Sequence, residues 1–222
     1  MMRYQLVRSK RKTLALSLRR DGSLTVRAPL QLPLARIEAF VDQKWDWVQK
    51  TRERLAQQPK GMTLQLEEGA SIPYLGGTLT LAMSNVPAVR IAADRLLIPS
   101  HTKDLSPVLR FFDKQARMML EERVRVISQA VRLYPKTIRL SHAKSRWGSM
   151  SGHGTLSLNR ALLHCPPDVV DYVILHELCH IPHPNHSPAF WRTVESFLPQ
   201  YHARRAWLKE HSAFIAILPA RT

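Results

Sequence analysis

His176, Glu177 and His180 fall in the run His-Glu-Leu-Cys-His, and their spacing carries the clearest chemistry in the chain. Histidines four apart in a helix lie one turn apart on one face, so both imidazoles can converge on a single ion. Neutral imidazole nitrogen is a preferred zinc ligand. Glu177 directly follows the first histidine, so its carboxylate flanks the ion and does not ligate it. From there it can take a proton from a metal-activated water and later deliver it to a leaving group. These are the working parts of an H-E-x-x-H motif. A catalytic zinc takes three protein ligands and keeps one position for water. Four of the ten histidines lie between residues 176 and 186, and His186 is the favoured third ligand. Pro182 and Pro184 must turn the chain, and Ser187-Pro188 looks like the start of a new helix that fixes His186 just ahead of it. Glu195, on that new helix, is the alternative. His183, between the prolines, reads as a turn residue. His142, His153 and His164 read as surface or supporting residues.

The elements that must position this group follow from periodicity. A helix is expected from 167 to 181. Val169, Val170, Tyr172, Val173, Ile174, Leu175, Leu178 and Ile181 make it apolar nearly all round, so it should be buried. Two histidines and a glutamate on a buried helix are costly unless paired or metal-bound. Further helices are expected over 188–197 and 201–214. Upstream, a helix over 106–133 opens at Ser106-Pro107, and strands over 137–141 and 154–158 flank Trp147-Gly148-Ser149. The N-terminal half reads as strands near 13–18 and 24–26, with Asp21-Gly22 as a hairpin signal, then one helix over 33–57. Short strands follow near 63–66, 71–75, 78–83, 88–92 and 95–98, with turns at Gly76-Gly77 and Ala93-Asp94. The expected class is α+β. A β-rich module with one long helix, residues 1–103, precedes a catalytic domain, residues 104–222.

Hydrophobic residues make up 45% and charged residues 23% of the 222, which supports a packed core and excludes wholesale disorder. No apolar run approaches the length of a membrane span, and the basic start lacks the apolar segment of a secretory signal. Two cysteines, Cys165 and Cys179, are too few for a disulfide framework and read as buried thiols in a reducing cytosol. A cytoplasmic protein is therefore expected. The charge is unusual: 33 Lys and Arg against 17 Asp and Glu give +16. Residues 1–20 hold seven basic residues and no acid. A second acid-free stretch, from Arg123 to Pro167, includes Arg132, Lys136, Arg139, Lys144, Arg146 and Arg160. Such a surface attracts nucleic acid, nucleotides or other anions.

The sequence resembles the YgjP-like metallopeptidase family, which is related to the SprT-like and WLM-type zincins. The resemblance rests on Arg146-Trp147-Gly148-Ser149, on residues 154–159, on residues 167–173, on the His176–His180 run, on Asn185-His186-Ser187-Pro188 and on Phe190-Trp191. Pro73-Tyr74-Leu75-Gly76 extends it more weakly into the N-terminal half. Family members often carry cysteine after Trp-Gly-Ser, where this chain has Met150. The resemblance implies a zincin-like core with a small sheet, one zinc ion on His176, His180 and His186, and Glu177 as general base. In zincin folds an antiparallel edge strand above the metal helix binds extended substrate, and residues 155–159 are expected to fill that role. Arg146, Thr155, Ser157 and Asn159 are accordingly the substrate-binding candidates, with Arg146, Asn159 and backbone amides as oxyanion donors. The leading expectation is a zinc metallopeptidase acting on protein or peptide. The rivals are a metal-dependent nucleotide phosphohydrolase, a protease acting on nucleic-acid-associated proteins, and a metal-binding scaffold without turnover.

Overall fold

The structure is a computed structural model that describes residues 4–18, 22–57 and 64–219. The chain divides into two compact units, Met1–Lys60 and Gly61–Thr222.

In the first unit, strands β1 (Gln5–Ser9), β2 (Ala15–Leu18) and β3 (Leu24–Pro29) precede helices α1 (Leu34–Gln43) and α2 (Trp45–Gln57). The strand order is β1-β3-β2, with β1 parallel and β2 antiparallel to β3. Leu6 and Leu16 both sit opposite Val26, so one face of the sheet is apolar. That face and the helices bury Leu24, Val26, Ala28, Ile37, Val41 and Val48. The single helix expected over 33–57 is two helices. Lys44 leaves helical geometry and its N–H is shared between the carbonyls of Phe40 and Val41, at 3.2 and 3.1 Å. Val41 and Val48, on either side of the break, are buried in the same core. Asp21 of the expected hairpin lies outside the described residues.

In the second unit, β4 (Ser71–Tyr74), β5 (Gly77–Ser84), β6 (Arg90–Ala92) and β7 (Arg95–Pro99) form a sheet in the order β4-β5-β7-β6. Then come α3 (Ser106–Val131), β8 (Thr137–Ser141), β9 (Gly148–Met150), β10 (Thr155–Asn159), a 3-10 turn (Arg160–His164), α4 (Pro167–Cys179), α5 (Pro188–Phe197) and α6 (Tyr201–Glu210). The second sheet runs β8-β10-β9, with β10 central, parallel to β8 and antiparallel to β9. The expected strand near 63–66 does not form over its described residues; the Leu64 N–H instead donates to the Ile217 carbonyl at 2.8 Å. Among the described residues, no helix is long and apolar enough to cross a membrane.

The expected boundary after residue 103 does not coincide with the division after Lys60. One core explains why: Ile72, Leu79, Leu81, Leu96 and Ile98 of the four-stranded sheet are buried together with Phe112 of α3 and Val170, Ile174 and Leu178 of α4. The contact is anchored at one turn. Leu75 and Gly76 both take positive φ, 46° and 84°, which glycine adopts freely and leucine does not. The turn brings the Leu75 N–H to the Leu163 carbonyl at 2.8 Å.

His164 lies beside this anchor and is 1% exposed, not the surface or supporting histidine the sequence suggests. Its Nδ1–H donates to the Pro73 carbonyl at 2.7 Å, and its Nε2 is buried without a partner. Burial drives its pKa down to about 4. An unfolded chain takes up the proton below about pH 6.5, while the folded one resists until about pH 4. Stability from this group is therefore complete above 6.5 and is lost as pH falls toward 4, by about 3 kcal/mol. Urea titrations between pH 7 and pH 4.5 are expected to show a flatter loss of stability in His164→Gln than in the parent chain.

Candidate metal centre

The α4 helix begins with Pro167 in its first turn and Asp168 beside it, both suited to a helix N-terminus. It buries nine of its residues, Glu177 among them, so it runs through the core of the unit. The last turn carries His176, and His180 is the capping residue in helical geometry. Pro182 and Pro184 then redirect the chain, as expected. The Ser187 side chain accepts the Phe190 N–H at 3.3 Å and starts α5. His186 is thereby set one residue ahead of a capped helix.

His176, His180 and His186 come together: each offers one ring nitrogen, and these lie within 4.8 Å of one another. Nε2 of His186 is 3.0 Å from Nε2 of His176. Two imidazole lone pairs at that distance repel unless a positive centre, a proton or a metal, lies with them. Nδ1–H of His180 donates to the His183 carbonyl at 3.0 Å, which leaves the Nε2 lone pair of His180 for a ligand. His176 is pushed down to about 3 by burial, then by His180, His186 and Arg205. His186 is shifted down by desolvation, His180 and Arg205. Neutral imidazoles with no competing carboxylate among the donors fit one borderline-soft ion such as zinc.

Phe190 is the floor of this group. Its buried ring lies 4.5 Å from His180 and 4.9 Å from both His176 and His186, centroid to centroid. Trp191 stacks on His186 at 5.5 Å, and the Arg205 guanidinium sits 4.7 Å from the Trp191 ring. Phe190 and Trp191 are visible in the sequence only as part of the family resemblance. Arg205 has no sequence signal, because one more cation in a chain of +16 carries no information. His183 is the turn residue expected of it: the Thr193 hydroxyl donates to the Ala189 carbonyl at 3.1 Å and so accepts from Nε2–H of His183 at 3.0 Å. Glu195, the alternative ligand, is exposed and stands outside the three-histidine cluster. It follows the buried Val194 on α5 and so turns to the outer face.

Glu177 is 7% exposed, and burial pushes its carboxyl up to about 7 against the opposing pull of the Met150 N–H and Arg146. The strand beside it is β9, which the sequence did not reveal as a strand. The expectation that residues 155–159 form the edge strand is corrected: β10 is paired on both sides, β8 and β9 are the edges, and β9 is the antiparallel one. Leu156 and Leu158 of β10 face the core, which turns Thr155 and Ser157 to the other face. Asn159 is fully committed within the protein. Its Nδ2 donates to the carbonyls of Ala143 and Arg146 at 2.7 and 2.9 Å, and its Oδ1 accepts from the Ala161 N–H at 3.0 Å. It therefore holds the loop that carries the exposed Arg146. Cys165 and Cys179 are buried free thiols, and burial pushes Cys179 up to about 11.

Three imidazoles gathered around one point, with a buried carboxylate next to His176 on α4, are chemically suited to a metal-dependent hydrolase. Residues 12–211 match the family described as YgjP-like, metallopeptidase domain, and the chain belongs to that family. Among solved structures it is similar to the metallopeptidase zymogen of Pyrococcus abyssi abylysin, with 22% identity and a TM-score of 0.38 over 42% of this chain and 95% of that one. It is also similar to the metallopeptidase zymogen of Methanocaldococcus jannaschii jannalysin, with 22% identity and a TM-score of 0.37 over 42% of this chain and 94% of that one. No curated protein matches the chain.

Proposed function

We propose that this metallopeptidase depends on one zinc ion, held by His176, His180 and His186, and uses Glu177 as its general base to cleave peptide bonds. The convergence of three ring nitrogens within 4.8 Å, beside a buried carboxylate, carries the reading. When bound, the ion acidifies water and polarises a carbonyl. Glu177 takes the proton at its carboxylate and returns it to the leaving amine. His180 is held in one tautomer by the His183 carbonyl, and Phe190 keeps the three rings in register. Substrate is assigned to β9. Ser149 and the flanking residues 147 and 151 turn their backbone groups to β10, as the bonds from Asn159 N–H to the Trp147 carbonyl and from Ser151 N–H to the Thr155 carbonyl show. Gly148 and Met150 therefore turn their backbone groups to the open side; with the Met150 N–H turned to Glu177, the carbonyls of Gly148 and Met150 and the Gly148 N–H are left for an extended peptide to pair. Arg146, just before this strand, is the candidate donor to substrate oxygen.

Two cations of the basic stretch are withdrawn from any phosphohydrolase role. Arg160 is buried against Asp113 at 3.0 Å, and Arg123 pairs with Asp171 at 3.1 Å. Those two cations stabilise the fold and are not presented to a phosphate. A cytoplasmic setting is part of the proposal and rests on the two buried thiols.

The test pairs elemental analysis with two substrates, a denatured protein and a nucleoside triphosphate. We expect one zinc per chain and cleavage of the protein. A strong chelator should lower cleavage by at least about a hundredfold, with recovery on adding zinc. Undiminished cleavage by the stripped protein, or phosphate release without peptide cleavage, overturns the reading.

A further inference from the structure

Gly148 opens the edge strand β9, and its backbone gives no reason for a glycine. Among the described residues the glycines with positive φ are Gly22, Gly69, Gly76 and Gly154; at Gly148 the chain takes a conformation that other residues share. Space is the constraint. A Cβ on Gly148 would lie 2.8 Å from Cγ of Glu177, 2.9 Å from its Oε1 and 3.1 Å from its Cδ. Carbon atoms in contact settle near 3.5–4.0 Å, so the Glu177 side chain would have to move. All three obstructing atoms belong to that one side chain.

A second hold acts on the same carboxylate. The Met150 backbone N–H pulls its pKa down against the effect of burial, and the ladder explains why that N–H is free to face it. Residues 147 and 151 bond to β10, so the Met150 N–H points to the open side of β9, while the pleat places Gly148 opposite the buried Leu158, on the face where a Cβ would meet Glu177. The backbone of β9 thus offers a donor at Met150 and a bare stretch of chain at Gly148, and the carboxylate lies along both.

We infer that Gly148 is a positioning residue: its missing side chain lets the Glu177 carboxylate lie against β9, where the Met150 N–H fixes its rotamer for proton transfer. The inference rests on the proposal that Glu177 is the base. A Cβ here meets the free end of a side chain and not rigid backbone, so the fold can absorb it by swinging Glu177 aside. The cost then falls on catalysis more than on stability. Gly152, in the turn that follows β9, is the matched control, because a Cβ there meets nothing within 4 Å and its φ is not positive.

The experiment uses the full chain with Gly148→Ala, Gly152→Ala, Glu177→Ala and the Gly148→Ala/Glu177→Ala pair. For Gly148→Ala, kcat should fall by about a hundredfold, the size of effect that a small misplacement of a reacting group produces. KM should stay within about twofold, with zinc content unchanged. Gly152→Ala should match the parent chain. A second readout needs no turnover. In the metal-free protein, the Met150 amide proton should move upfield in Gly148→Ala, in the same direction as in Glu177→Ala, because both remove its carboxylate acceptor. Adding Gly148→Ala to Glu177→Ala should change neither that resonance nor the melting temperature further. If Gly148→Ala itself melts early, the pair should recover, since the obstructing atoms are gone. Parent-like kcat in Gly148→Ala, an unmoved Met150 amide, or an undiminished effect of Gly148→Ala in the Glu177→Ala background overturns the inference. Full activity in Glu177→Gln defeats the base assignment instead, and the Met150 resonance still reads the contact.

Discussion

Glu177→Gln is expected to keep its zinc and lose catalysis, with kcat reduced on the order of a thousandfold, the middle of the range for general acid–base groups. Glutamine has the same length and shape, so the slot against Gly148 and Met150 remains filled. An amide cannot accept a proton at neutral pH, so the transfer step fails while the three imidazoles are untouched. Stability should hold or rise. A carboxylate that is 7% exposed resists ionising, and an amide removes that desolvation cost. Three measurements on one preparation check this: zinc per chain, kcat on a denatured protein, and melting temperature. A variant with its zinc and parent-like kcat would show that the proton goes elsewhere. A variant without zinc would show that Glu177 supports the ligands.

The site was more legible in the sequence than the frame around it, for a physical reason. The i, i+4 pairing of His176 and His180 is a property of any helix, and the apolar run from Val169 to Leu178 fixes that helix and its burial without help from the rest of the chain. His186 was readable because two prolines and a capping serine constrain eleven residues locally. The family resemblance added the third ligand's role and the zincin-like expectation. What failed were features set by partners distant in sequence. β9 is three residues long, Gly148 to Met150, and exists because β10 pairs with it. β10 has two neighbours, and no pattern within residues 155–159 says so. Asn159 looked like a substrate donor because its type suits that task. Its side chain is instead consumed by Ala143, Arg146 and Ala161, contacts that form only once the loop closes. The helix break at Lys44 has no breaker residue in the sequence to announce it.

Comparing His186→Ala with Glu195→Ala decides the third ligand, and the two variants should diverge sharply. Loss of an outer partner of a metal ligand typically weakens binding by about 10–100-fold; removal of a ligand itself should exceed that, so His186→Ala should lose its zinc in competition with a weak chelator and fall silent as a peptidase. Glu195 is exposed on the outer face of α5, so Glu195→Ala should retain both zinc and activity. His186 is exposed, and its ring stacks on Trp191 over the buried Phe190. Its replacement should therefore cost little folding stability of the metal-free chain, and most of the fall in melting temperature should be seen only with zinc present. That dependence follows from linkage, since the stabilisation a bound ion gives grows with its affinity for the folded state. Zinc competition curves and paired melts, with and without metal, measure it directly. Retention of tight zinc in His186→Ala together with its loss in Glu195→Ala would move the third ligand onto α5 and require Glu195 to turn inward from the position it holds here.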